Sequence, residues 1–147
     1  MKTLVVYDSV YGFTEKIARA IGSGISGEVK VIKVSELKFG EVDGADLLIV
    51  GSPTQGGKPL KPVQAWLDTL PESAVKAKKV AVFDTRLPAK WVKLFGYAAG
   101  KIADNLKKKG ANLVGEPEAF FVKAAKGPLV DGEEDRARGW GSKVSTL

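Results

Sequence analysis

Residues 4–18, LVVYDSVYGFTEKIA, constrain this chain more than any other stretch. They begin as a short apolar run, Leu4-Val5-Val6-Tyr7, and turn small and polar through Asp8, Ser9, Val10, Tyr11, Gly12, Phe13 and Thr14. They leave with Ile17, Ala18 and Ile21 at helical spacing. A buried strand that empties through such a turn into a helix gathers unpaired backbone N–H groups and the positive end of the helix dipole at one point. Ser9 and Thr14 add hydroxyl donors, and Gly12 lets the backbone approach a ligand with no Cβ in the way. The stretch reads as a phosphate cradle.

The rest of the chain repeats the strand-then-helix pattern. Residues 3–7 form a first strand with both faces apolar, as a central parallel strand requires. A helix follows from Thr14 to about Ile21. Gly22-Ser23-Gly24-Ile25-Ser26-Gly27 then matches G-x-G-x-x-G, but it follows a helix and precedes a strand, the reverse of a dinucleotide-binding turn, so it reads as a helix cap and turn. Residues 29–34 alternate as a second strand, and Glu28 and Lys30 mark it as an edge. The third strand, Leu47-Leu48-Ile49-Val50, ends in the small-residue loop Gly51-Ser52-Pro53-Thr54-Gln55-Gly56-Gly57. Pro62 suits the first turn of the next helix, which carries Val63, Trp66, Leu67 and Leu70 on one face and stops at Pro71.

Residues 79–83 form the fourth strand and open into a third loop, Asp84-Thr85-Arg86-Leu87-Pro88. The longest helical pattern runs from 89 to 109, with Trp91, Leu94, Phe95, Ala98, Ile102 and Leu106 on one stripe and Lys107, Lys108 and Lys109 at its C-terminal end. A fifth strand lies within 112–122, interrupted near Gly115-Glu116-Pro117. Asp131 reads as the N-cap of a last helix through Val144. Such alternation implies an α/β fold, a doubly wound parallel sheet of five strands with helices on both faces and right-handed crossovers. The loops after strands one, three and four then open on one edge of the sheet, where ligands of such folds bind. No repeat or linker divides the 147 residues, so a single domain, 1–147, is expected.

Composition narrows the chemistry. The chain has no cysteine and no histidine, which removes thiolate chemistry and the commonest general base and metal ligand. Redox or transfer chemistry would therefore be carried by a bound cofactor. The net charge of +6 points to acidic partners, an anionic membrane surface or nucleotide ligands. The lysines are dispersed and not interleaved with aromatics, which argues against nucleic acid. No apolar run approaches the roughly 20 residues of a membrane span, and Met1-Lys2-Thr3 lead straight into a strand, so a cytoplasmic location is expected.

These stretches resemble the flavodoxin family over nearly the whole chain. The turn from Ser9 to Thr14 is similar to the family's phosphate loop, with Ser9, Gly12 and Thr14 matching and Tyr11 in place of the middle hydroxyl residue. Gly51 through Gly57 resembles the loop that lies along a flavin ring, and Gly110-Ala111-Asn112-Leu113-Val114 the entry to the fifth strand. The resemblance implies strand order 2-1-3-4-5 and FMN as cofactor. The FMN phosphate would be met by the amides from Val10 to Thr14 with the Ser9 and Thr14 hydroxyls. Pro53, Thr54 and Gln55 would form one wall of the ring site. Gly56-Gly57 would allow a peptide to reorient as the ring takes up a proton. Asp84, Thr85, Arg86 and Leu87 would form the other wall. Gly51 through Lys58 also nearly spells a triphosphate-binding loop, but the spacing is one residue too long and Pro59 stands where a hydroxyl residue must hold magnesium.

The third loop departs from the family: Arg86, Lys90 and Lys93 bring positive charge where the resemblance implies small and acidic residues. Positive charge near the ring favours its anionic reduced form, so reduction is expected to be easier than in an acidic flavodoxin. Trp91 has two readings, packing in the helix stripe or stacking on the ring. Three functions follow. The first is an electron carrier between redox proteins, with the +6 charge selecting acidic docking faces. The second is an FMN-dependent oxidoreductase acting on a quinone or protoporphyrinogen-type substrate, for which the amphipathic stretch 87–95 would sit at a membrane surface. The third is a flavin-free binding module on the same fold.

Overall fold

The structure is a computed structural model that describes residues 1–38, 40–88 and 97–147. The elements run β1 (Lys2–Tyr7), α1 (Phe13–Ser23), β2 (Glu28–Lys33), β3 (Leu47–Pro53), α2 (Lys61–Thr69), the single turn α3 (Glu72–Val75), β4 (Lys79–Arg86), α4 (Ala98–Lys108), β5 (Asn112–Leu113), β6 (Glu118–Phe121) and α5 (Glu133–Val144). The strands are parallel in the order β2-β1-β3-β4-β5, as expected. β5 and β6 are two pieces of one edge strand. Leu113 pairs with Val80 and Glu118 with Phe83, and Gly115 to Pro117 interrupt the ladder between them. β2 is the opposite edge, where its charged residues predicted it.

Two cores follow from the two-residue period of the strands. Val6, Leu48, Val50 and Val82 face α2 and α4, and pack with Leu67, Ile102 and Leu106. Val5, Ile49 and Phe83 face α1 and α5, and pack with Ile17, Ile21 and Trp140. Phe83, Phe120 and Trp140 meet edge to face, with ring centroids 6.0–6.2 Å apart. Trp66 is only half-buried against the first core.

Several boundaries differ from the sequence reading. β4 runs on through Asp84, Thr85 and Arg86, where a loop was expected, because these residues pair with β3 and β6. β3 runs on through Gly51, Ser52 and Pro53, because these residues stay paired with Phe83, Asp84 and Thr85. The cap of α5 is Gly132, at φ 87°, and Asp131 makes no capping bond, so the expected Asp131 cap is one residue early. Of the helical pattern expected over 89–109, the described part is α4 from Ala98; Trp91, Lys90, Lys93, Leu94 and Phe95 lie outside the described residues.

Candidate functional site

A cleft of about 180 Å³ lies where the expected loops converge. Ser9, Val10, Tyr11, Phe13 and Thr14 line it from the first loop, Pro53, Thr54 and Gln55 from the second, and Thr85, Arg86 and Leu87 from the third. Gly12, Gly56, Gly57 and Asp84, also expected at the site, are not among the residues that line it. Val122 and Ala125, after β6, also line the cleft and were not anticipated. The rule that C-terminal strand ends share one edge applies to the fifth strand too, and would have found them.

Gly12 caps α1 at φ 92°, a left-handed conformation natural to glycine. Its own N–H, expected to face a ligand, is bonded to Ser9 Oγ at 2.9 Å, and the Ser9 N–H to Asp8 Oδ1 at 2.8 Å. The N–H groups of Val10, Tyr11, Phe13 and Thr14 have no acceptor among the described residues. Ser9 Oγ accepts from Gly12 and keeps its proton for donation. This is a donor set for an anion at the positive end of a helix. The Thr14 hydroxyl is bonded at 2.7 Å to the Thr85 hydroxyl, tying α1 to the end of β4 under the cleft. Tyr7, the last residue of β1, is buried, and its phenol is pushed above its ordinary 10.0 by that burial and then by Glu15.

The second loop is a tight hairpin. Gln55 and Lys58 exchange backbone hydrogen bonds of 2.9 and 3.0 Å, and Gly56 and Gly57 sit at φ 57° and 77°. Positive φ at both central residues is the turn that matches strand twist. Lys58 thus closes a hairpin and does not open a helix, in line with the rejection of a triphosphate loop. Thr54 ties the hairpin down. Its N–H donates to Thr85 O at 2.9 Å, and its hydroxyl donates to Asp84 Oδ2 at 3.2 Å and accepts from Ala98 N at 3.0 Å.

Asp84 is fully buried. It accepts from Ala99 N at 3.0 Å, so Asp84 and Thr54 together cap α4, whose own N-cap residue Tyr97 has no side-chain capping bond. Arg86 grips the same carboxylate through Nε at 2.8 Å and Nη2 at 2.6 Å. The positive charge that the sequence assigned to Arg86 is therefore paired. Phe13 also reaches Gly127, where a Cβ would fall 2.0 Å from the tip of the Phe13 ring. That contact seats the loop carrying Ala125. Among the described residues no cluster of His, Cys, Asp or Glu could hold a metal ion, and no helix is long and apolar enough to cross a membrane.

The sequence model of the family described as Flavodoxin matches residues 5–140. A putative diflavin flavoprotein of Synechocystis sp. is 31% identical over 90 residues, which are 56% of this chain and 15% of that protein; the chain thus spans a small part of that relative. Among solved structures, a flavodoxin from the domain Archaea superposes with a TM-score of 0.84 at 26% identity, covering 99% of this chain and 97% of the other. Oxidised Flavodoxin 1 from Bacillus cereus gives 0.80 at 20% identity, covering 99% and 98%. Rubredoxin oxygen:oxidoreductase from Desulfovibrio gigas gives 0.78 at 20%, where 99% of this chain matches 35% of the larger protein. The match begins in the first strand and ends in the last helix: the chain belongs to the flavodoxin family.

Proposed function

We propose that the cleft binds FMN and that the chain carries electrons between redox proteins. The observation that supports this most is the run of acceptor-free amides at Val10, Tyr11, Phe13 and Thr14. They sit where a terminal phosphate of about two negative charges would be held without a lysine. When bound, FMN would supply a ring able to take up and release electrons. The chain supplies the walls: Pro53 and Gln55 on one side, Thr85 and Leu87 on the other, with Ser9 Oγ free to donate to the phosphate. Gly56-Gly57 leaves the hairpin peptide beside the ring without Cβ atoms.

Val10 and Tyr11, about half exposed, place apolar surface on the rim of the cleft. A protein partner would cover such a rim, and the +6 net charge favours partners with acidic faces. The stretch that would favour a quinone or membrane-bound substrate lies largely outside the described residues and adds no support to that reading. The test is a fluorescence titration of the protein with FMN and with riboflavin, which shares the ring and lacks the phosphate. FMN binding at least about a hundredfold tighter than riboflavin supports the proposal, the factor that about 2.7 kcal/mol of phosphate contact would give. Equal affinities would overturn the phosphate cradle, and no binding of either ligand would overturn the FMN reading in favour of a flavin-free module.

A further inference from the structure

Arg86 is the only charged side chain among the described residues that line the cleft. It is held from two directions. Its Nε and Nη2 fork onto the two carboxylate oxygens of Asp84, and its guanidinium carbon lies 3.3 Å from the centroid of the Tyr97 ring. The pair has a direction: Asp84 is completely shielded from solvent, whereas the Arg86 side chain stays 15% exposed on the wall. The negative end points into the protein and the positive end toward the cleft. Two of the five guanidinium N–H groups are spent on Asp84, and the other three have no acceptor among the described residues.

We infer that Arg86 is a specificity-determining residue of the cleft, selecting ligand states that carry negative charge on the ring as well as on the phosphate. The inference rests on reading the cleft as an FMN site and goes further by naming the group that discriminates between oxidation states. Oxidised FMN takes up two electrons from a reductant and one proton from solvent, which leaves one negative charge on the ring. A cation fixed at the wall attracts that charge and is indifferent to the neutral ring. Asp84 weakens the attraction without cancelling it, because it lies behind the guanidinium. Locking the guanidinium in place before the ligand arrives removes the cost of orienting a long side chain at binding.

The quantity to measure is the ratio of affinities for reduced and oxidised FMN. An oxidised-state fluorescence titration and the potential of the bound cofactor, under anaerobic titration with dithionite, give it. Asp84→Asn uncovers the guanidinium charge and raises the ratio about tenfold, or about 1.4 kcal/mol. Asp84→Asn combined with Arg86→Met removes both charges and lowers the ratio about threefold below the parent protein. A merely structural role moves both variants in the same direction. Shifts of one sign, or an unchanged ratio with FMN still bound, overturn the role of Arg86. A parent protein that binds no FMN overturns the FMN reading itself. Should Asp84→Asn fail to fold, Arg86→Lys and Arg86→Gln repeat the comparison with charge kept and charge lost: a higher ratio for the lysine supports the inference, and equal ratios overturn it.

Discussion

Thr14 and Thr85, 71 positions apart, share a buried hydroxyl–hydroxyl hydrogen bond of 2.7 Å beneath the cleft. It joins the first turn of α1 to the last strand pairs of β4, and so fixes the first loop against the third. Thr14→Val strands the Thr85 hydroxyl in a buried place and is expected to cost about 1–3 kcal/mol. Adding Thr85→Val removes the stranded group and restores most of that loss, since both partners are then apolar and of similar shape. Urea unfolding midpoints of the two single variants and the double variant check it: a double variant as unstable as the two losses added together would deny the coupling.

Gly51 lies under the Phe83 ring, and a Cβ there would come within 2.0 Å of it. Phe83 is fully buried and stacks edge to face with Phe120 and Trp140, so it has nowhere to move. Gly51→Ala is therefore expected to destabilise the fold by about 1–3 kcal/mol through overpacking. Loss of near-ultraviolet circular dichroism, which reports the packing of Trp140 and its neighbours, should accompany the drop in the urea midpoint. A variant with unchanged midpoint and spectrum would show that the ring is not confined.

Residues whose roles are set by neighbours in sequence were the legible ones. Hydrophobic runs separated by helical stripes were enough for the sheet, the strand order came with the family resemblance, and the small-residue loops were enough for the cleft. Gly51 shows where local reading ends: it looks like the start of a loop, yet its place is decided by a ring 32 residues further on. The family resemblance made Asp84 a wall residue. Its carboxylate instead turns inward to meet Ala99 N and Arg86, a choice made by where α4 begins. Asp131 and Gly132 are both cap-forming residues, and only the backbone, at φ 87° in Gly132, decides between them. Phe13 gave no local signal of its contact with Gly127.

The hairpin at Gln55–Lys58 makes a separable prediction. With both central residues at positive φ, Asn is the non-glycine residue best suited to the first central position. Among the described residues, no atom beyond its chain neighbours lies within 4 Å of where a Cβ on Gly56 would sit, so the backbone preference decides there. Gly56→Asn should leave stability within about 0.5 kcal/mol of the parent. Gly56→Val, β-branched at the same φ, should lose about 1–2 kcal/mol. Thermal melts of the two variants read the difference, and equal melting temperatures would mean that the turn does not hold this geometry in solution.

Glu133 connects α5 to β6 and sets an acid limit on stability. Its carboxylate accepts from Phe121 N at 2.8 Å and from Arg136 Nε and Nη2, both at 2.8 Å. Arg136 in turn lies 4.4 Å over the Phe120 ring and reaches Glu118. The hydrogen bonds from Arg136, then that from the Phe121 amide, hold the Glu133 carboxyl below its ordinary 4.5, and outweigh the opposing effect of burial. A carboxyl whose folded value is depressed binds its proton more readily in the unfolded chain. Its contribution is therefore complete above the ordinary value and is lost as pH falls through the folded one. Urea midpoints should stay level from pH 7 to about 5 and fall below about pH 4.5. Glu133→Gln keeps the shape but weakens the charge-assisted bonds, and is expected to lower stability at pH 7 by about 1–3 kcal/mol. The same variant should flatten the acid limb, because the group that titrates there is gone. A variant that loses stability at pH 7 yet keeps the full acid slope would assign the limb to other carboxylates.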